Sequence, residues 1–174
     1  MAARGVGVLV LALVLGGGSA SAAEKGITKM EITSTAFKAK EFIPKKYSCE
    51  GDDVSPPLRW SEPPPGTRSL ALVVDNPDAP GRTFTHWIAW GIDSATGGLA
   101  EGEAAPLEGR NDFGAPGYRG PCPPVGHGPH RYFFKLCALD ADVDLARGAR
   151  RRDVDAALEG HVLEVAELVG TYER

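Results

Sequence analysis

No excess of positive charge is present in this sequence. Lys and Arg number 19 against 23 Asp and Glu, for a formal net charge of −4. That sign speaks against a general nucleic-acid binder. No helix-length apolar stretch is present either. The run Val6–Leu15 (VGVLVLALVL) is too short to span a bilayer. The Gly-x-Ser-x-Gly elbow of the α/β hydrolases does not occur. No HExxH-type spacing marks a metal site, so the histidines lack the local pattern of a zinc ligand set. Internal repeats and long low-complexity tracts are missing, which excludes solenoids and disordered arrays.

The start of the chain reads as a leader and not as fold. Arg4 supplies a positive n-region, Val6–Leu15 the apolar core and Gly16-Gly17-Gly18-Ser19 a break. Ala20-Ser21-Ala22 is an A-x-A cleavage signal. The pattern predicts a signal peptide over residues 1–23, cut after Ala22 or Ala23, with an uncleaved anchor as the weaker alternative. No Cys stands at the cut, which excludes a lipoprotein. The expectation is a secreted or periplasmic protein without stable membrane insertion after cleavage. Without Arg4, 18 basic residues face 23 acidic ones and the net charge becomes −5. Residues 24–174 then have the size of one ordinary domain, enough to bury a full core.

Gly (22) and Pro (14) are plentiful, and candidate strands outnumber candidate helices. Strands are predicted at Met30–Phe37, Ser69–Asp75, Thr83–Asp93, His130–Asp140 and Leu163–Tyr172. Ser69–Asp75 (SLALVVD) is a continuous apolar run and is expected to be buried on both faces. Asp153–Leu158 reads as a short helix, capped by Asp153 and ended by Gly160. Many short strands joined by Gly/Pro connections predict an all-β sandwich with one or two short helices.

The stretch from Gly120 to Phe134 (GPCPPVGHGPHRYFF) divides in two. Up to Pro129, proline and glycine dominate, so it must be a loop of defined shape. From His130 the chain alternates as a strand, which sets His130 and Tyr132 on one face. Gly120 leaves room for a ligand to approach the backbone. A turn followed by a core strand, with His130 only closing the loop, explains this stretch equally well when taken alone. The turn Asp75-Asn76-Pro77-Asp78-Ala79-Pro80-Gly81 carries acids at the end of a buried strand. The next strand, read with strict alternation, sets Phe84, His86, Ile88, Trp90 and Ile92 on one face. A single histidine on such an apolar stripe is more often a satisfied core residue than a ligand contact.

Several motifs occur in order. They are YSCEGD at 47–52, SPPLRW at 55–60, NPDAPG at 76–81, His86-Trp87, and GRNDFG at 109–114. GPCPP at 120–124, HRYFFKLCALD at 130–140 and the ending EGHVLEVAELVGTYER follow. Together they resemble the phosphatidylethanolamine-binding protein family, most closely its bacterial and archaeal YbhB/YbcL-like branch. The resemblance covers nearly all of residues 24–174. It implies a β-sandwich of a large and a small antiparallel sheet with an anion pocket at one end. Carried over, the pocket comprises Asn76, Asp78, His86, Gly120, Pro121, Cys122, His130 and Tyr132. Asn76 stands where the family has the first aspartate of DPDAP, and an amide carries no charge.

An oxyanion needs donors fixed in a small cavity. Tyr132, His86, His130 and the Cys122 N–H are the expected ones, with Asp78 holding a histidine tautomer. The expected partner is a small anion, such as phosphate, sulfate, acetate or a phosphoryl head group. Modulation of another, extracytoplasmic protein is expected from the family's inhibitors and regulators, with no nucleic acid, cofactor or metal involved. Two alternatives stand beside this. One is an inhibitor or signalling regulator that acts by protein contact over a vestigial pocket. The other is an acid–base enzyme built on the His/Asp/Tyr cluster. Export also predicts a Cys49–Cys122 disulfide between two Gly/Pro loops, leaving Cys137 as a buried thiol in a strand. Arg147, Arg150, Arg151 and Arg152 are expected to be solvated, and His127 likewise. Trp60, Trp87 and Trp90 are expected in the core and pocket wall.

Overall fold

The computed structural model describes Met1 and residues 29–174. Apart from Met1, the expected leader and its cleavage site lie outside these residues. Two antiparallel sheets face one another, as the sandwich expectation required. The small sheet runs in the order β1 (Ile32–Ser34), β2 (Leu58–Trp60), β5 (Gly98–Leu99). The large sheet runs β6 (Leu107–Glu108), β4 (Phe84–Asp93), β3 (Ser69–Asn76), β7 (His130–Leu139), β8 (Val162–Tyr172). A 3₁₀ turn, Lys45–Tyr47, and one α-helix, α1 (Arg151–Leu158), complete the described residues.

β3 is central and buried along all of its length, and this explains its unbroken apolar run. One of its faces gives Leu70, Leu72 and Val74 to the core between the sheets. There they meet Trp87, Phe134, Leu136, Met30, Ile32 and Leu58. The other face gives Ala71 and Val73 to a second core with Ile88, Trp90 and Leu139, covered by Val154 and Leu158 of α1. The helix starts two residues before its expected cap. Arg150 is the N-cap and makes no side-chain capping bond, and Asp153 lies in the first turn, where a carboxylate suits the helix dipole. Gly160, at φ +80°, ends it in the left-handed conformation that glycine tolerates.

The basic run that leads into α1 is not simply solvated. Arg147 donates to the buried Glu108 carboxylate at 2.6 Å, which also accepts from Trp87 Nε1 at 3.1 Å. Arg151 donates to the buried Asp75 at 2.6 Å. Each guanidinium thus compensates a carboxylate that burial would otherwise penalise.

The first strand is shorter than expected, because only Ile32–Ser34 pair with β2. The strict alternation expected along β4 also fails. Val74 pairs with Trp87 but Asp75 pairs with Thr85, so His86 is an extra residue in a β-bulge. Thr85 therefore faces α1, bonding Asp75 and Arg151. His86 and Trp87 both turn to the inter-sheet side. A second register shift, between Leu70 and Leu72 on the partner strand, falls at Gly91 with φ +67° and moves Ile92 to the inter-sheet core. Only Ile88 and Trp90 of the expected stripe share the α1 face.

Candidate functional site

The bulge aims His86 at the end of the sandwich where β3 and β7 also terminate. Its ring meets Tyr132 edge-on at 5.1 Å between centroids, Phe84 at 5.2 Å and Phe113 at 5.5 Å. His86 Nδ1 donates to the Arg119 carbonyl at 2.7 Å. A carbonyl only accepts, so Nδ1 carries the proton. Burial pushes His86 below its ordinary pKa, against the pull of the Arg119 and Gly120 carbonyls. Burial thus disfavours a second proton on the ring, and Nδ1 holds the first.

His130 opens β7 and is buried. Its Nδ1 lies 3.1 Å from Asn76 Nδ2, and its Nε2 lies 3.1 Å from His127 Nδ1. Burial and the neighbouring His127 lower its pKa, while Asp78 pulls the other way. His127 is thus a partner of His130 and not simply a solvated loop residue. Tyr132, one pleat further in, is fully buried, and burial raises its pKa. Its phenolic oxygen accepts from Asn76 Nδ2 at 3.4 Å, and the nearby Cys122 backbone pulls its pKa the other way. That leaves the phenolic proton to be given away.

A cavity of about 220 Å³ lies between these groups, lined by Asn76, His86, Cys122 and His130. Its apolar walls are Ala79, Pro80, Phe84, Phe113, Pro123 and Pro124. Four of the eight expected residues therefore line it, and the other four support it from outside. Asp78 does not hold a histidine. Its carboxylate accepts from the Arg131 backbone N–H and guanidinium, because it projects along the strand that carries Arg131. Nor does Gly120 make room for a ligand. A Cβ there would stand 2.1 Å from the Tyr47 carbonyl oxygen, so the space is filled by the Tyr47–Ser48 backbone. The Pro121 carbonyl accepts the Cys49 N–H at 3.1 Å. Tyr132 does not line the cavity but touches the His86 ring and the Asn76 amide that do.

The loop is clamped from behind. Cys49 and Cys122 form a disulfide, and Cys137 is a buried free thiol. Gly120 N–H donates to Asp53 at 2.7 Å, and Tyr118 donates to the Tyr47 carbonyl at 2.8 Å. Arg119 pairs with Asp53 and stacks its guanidinium 5.5 Å from the Phe113 ring. Phe113 was not singled out from sequence, and His127 was expected only as a solvated loop residue. Phe113 lies inside the quoted GRNDFG motif, which was its only signal. His127 stands three residues before His130, a spacing that means little without the loop's shape. Among the described residues no group of three or more His, Cys, Asp or Glu side chains converges as a metal site would require.

A sandwich of this topology with a terminal cavity is a fold with known relatives. The phosphatidylethanolamine-binding protein family model matches residues 33–173. A UPF0098 protein of Pyrococcus horikoshii is 47% identical, over 96% of this chain and 87% of its own length. Another, from Aquifex aeolicus, is 47% identical over 83% of this chain and 89% of its own. Among solved structures, E. coli YbcL, described as a member of the mammalian PEBP family, superposes with a TM-score of 0.80. It is 32% identical, over 84% of this chain and 99% of its own. A phosphatidylethanolamine-binding protein homolog of Chlamydia trachomatis gives 0.79 at 39% identity, over 84% and 98%. The chain belongs to the phosphatidylethanolamine-binding protein family.

Proposed function

We propose that this chain is an extracytoplasmic binding protein whose cavity takes a small anion, phosphate or a phosphoryl head group, and that it modulates another protein. The observation that supports this most is convergence. Asn76, His86, Cys122 and His130 come from three distant segments and meet at one cavity with apolar walls. Such walls exclude water and strengthen each hydrogen bond made inside. At about 220 Å³ the space suits a head group better than a whole lipid.

Binding is favoured over catalysis because the lining offers no activated nucleophile. The Cys122 sulfur is consumed in the disulfide, and no Ser or Thr lines the cavity. The family's name makes phosphoethanolamine the natural probe, with phosphate beside it. Weak binding in the micromolar-to-millimolar range is expected. The test is calorimetry on wild type, His130→Ala and Tyr132→Phe. His130→Ala is expected to lose about 1–3 kcal/mol of binding, and Tyr132→Phe less. Equal affinity in all three, with folds intact by circular dichroism, rules out this cavity as the site. Export is tested separately: an exported protein that still begins at Met1 contradicts the leader.

A second reading, action by protein contact alone, has one observation in its favour. Val162, Leu163 and Val165 stand 41%, 44% and 42% exposed on β8, at the edge of the large sheet. A partner recovered on pull-down, unaffected by His130→Ala, supports that reading.

A further inference from the structure

The hydrogen bonds around the cavity run in one direction. The Asp78 backbone N–H donates to Asn76 Oδ1 at 3.0 Å, which fixes the orientation of the amide. Nδ2 is thereby turned to His130 Nδ1 at 3.1 Å. An NH₂ group only donates, so His130 Nδ1 is unprotonated and its proton sits on Nε2. Nε2 donates in turn to His127 Nδ1 at 3.1 Å, leaving the His127 proton on its own Nε2.

Charging His130 requires a proton on Nδ1, where it meets the amide hydrogens. The amide cannot turn over to receive it, because Nδ2 would then face the Asp78 N–H, donor against donor. Asp78 pulls the other way, but burial and His127 outweigh it. Asp78 is engaged by Arg131, Tyr132 is a neutral phenol, and His127 accepts. Burial of His86, across the cavity, likewise disfavours its charged form.

We infer that Asn76 is a specificity-determining positioning residue. Through His130 it keeps the cavity electrically neutral, and so selects a singly charged oxyanion, a carboxylate or phosphate diester, over a doubly charged phosphate. The inference rests on the small-anion reading above and narrows it. The cost of stripping water from an ion grows with the square of its charge, so a dianion costs about four times as much as a monoanion of equal size. Neutral donors compensate the smaller cost and not the larger one. Asn76→Asp reverses the polarity. A carboxylate only accepts, so it accepts a hydrogen bond from a protonated His130 Nδ1 and favours the imidazolium.

Two measurements test this. Histidine two-bond ¹H–¹⁵N correlation spectra read the tautomer without ligand. Wild type is expected to show His130 unprotonated at Nδ1. Asn76→Asp is expected to show it protonated, with a titration midpoint higher by about one unit. Calorimetry at about pH 8, where inorganic phosphate is mainly a dianion, compares it with diethyl phosphate and acetate. Wild type is expected to bind at least one of the two monoanions about tenfold more tightly than phosphate. Asn76→Asp is expected to narrow that gap to about threefold or less. Protonation of Nδ1 in wild type, or phosphate bound as tightly as the monoanions, overturns the inference. The wild-type spectrum decides the first point even if the variant does not fold. Binding of none of the three ions overturns the small-anion reading itself, an outcome distinct from binding without preference.

Discussion

Asp78 holds Arg131 by three hydrogen bonds, from the backbone N–H at 2.8 Å, Nε at 2.8 Å and Nη2 at 2.6 Å. The acid of the Pro turn therefore locks the turn to β7, and the cavity wall at Ala79 and Pro80 is fixed with it. The Arg131 bonds hold the Asp78 carboxyl down at about 2. A depressed carboxyl contributes stability above its ordinary value, near 3.8, and that contribution is lost as pH falls through about 2. Arg131 is more than half exposed, so screening limits the effect to about 1 kcal/mol. Urea unfolding of wild type and Asp78→Asn is expected to differ by this amount at about pH 5. The difference is expected to close at about pH 2. A gap that does not change with pH contradicts the assignment.

Gly120→Ala places a Cβ 2.1 Å from the Tyr47 carbonyl oxygen and 2.8 Å from the Ser48 Cα. Both are backbone atoms and cannot step aside cheaply. The substitution is expected to destabilise by about 1–3 kcal/mol through overpacking. A melting temperature unchanged within error counts against the tight packing of these two segments.

The disulfide joins residues 73 apart in sequence. Reducing it is expected to cost about 2–4 kcal/mol, chiefly by freeing the unfolded chain. Denaturation with and without reductant measures this. Cys137 is expected to stay unreactive toward thiol reagents until the chain unfolds, since it is buried and its thiol pKa is raised by burial. Rapid labelling of Cys137 in the native protein contradicts its place under α1.

His86 and His130 both have lowered pKa values, so the folded state resists charging them. Their contribution is present above the ordinary imidazole value, about 6.5, and is lost as pH falls below it. Stability is expected to drop between about pH 7.5 and 5, and His86→Gln, which cannot charge, is expected to flatten part of that drop. Stability that rises over this range contradicts neutral histidines. For the same reason, an affinity for anions that depends on a standing His130 charge is not expected.

The sequence showed some of this more clearly than the rest. The β7 alternation placed His130 and Tyr132 on one face, because a strand's period of two is a local property. The burial of β3 was equally legible in its apolar run. The aim of His86 was not, since a bulge belongs to the register between two strands and leaves no period in either one. β5 and β6 are two residues long and carry no period at all. The roles of Gly120 and Asp78 depended on which backbone and which cation lay opposite. The Tyr47 carbonyl, in the distant 3₁₀ turn, could not be read from the neighbours of Gly120. Arg131 was next in the motif, but its direction was not.

The most direct test of the central claim is amide chemical-shift mapping on ¹⁵N-labelled protein titrated with phosphoethanolamine. Saturable shifts are predicted at Asn76, Ala79, His86, Phe113, Cys122 and His130, the residues around the cavity. They are predicted to weaken in His130→Ala. The charged cleft on the α1 face, formed by Arg82, Asp112, Lys135 and Arg151, is predicted to stay silent. Shifts confined to that cleft, or none at the cavity residues, would contradict the account.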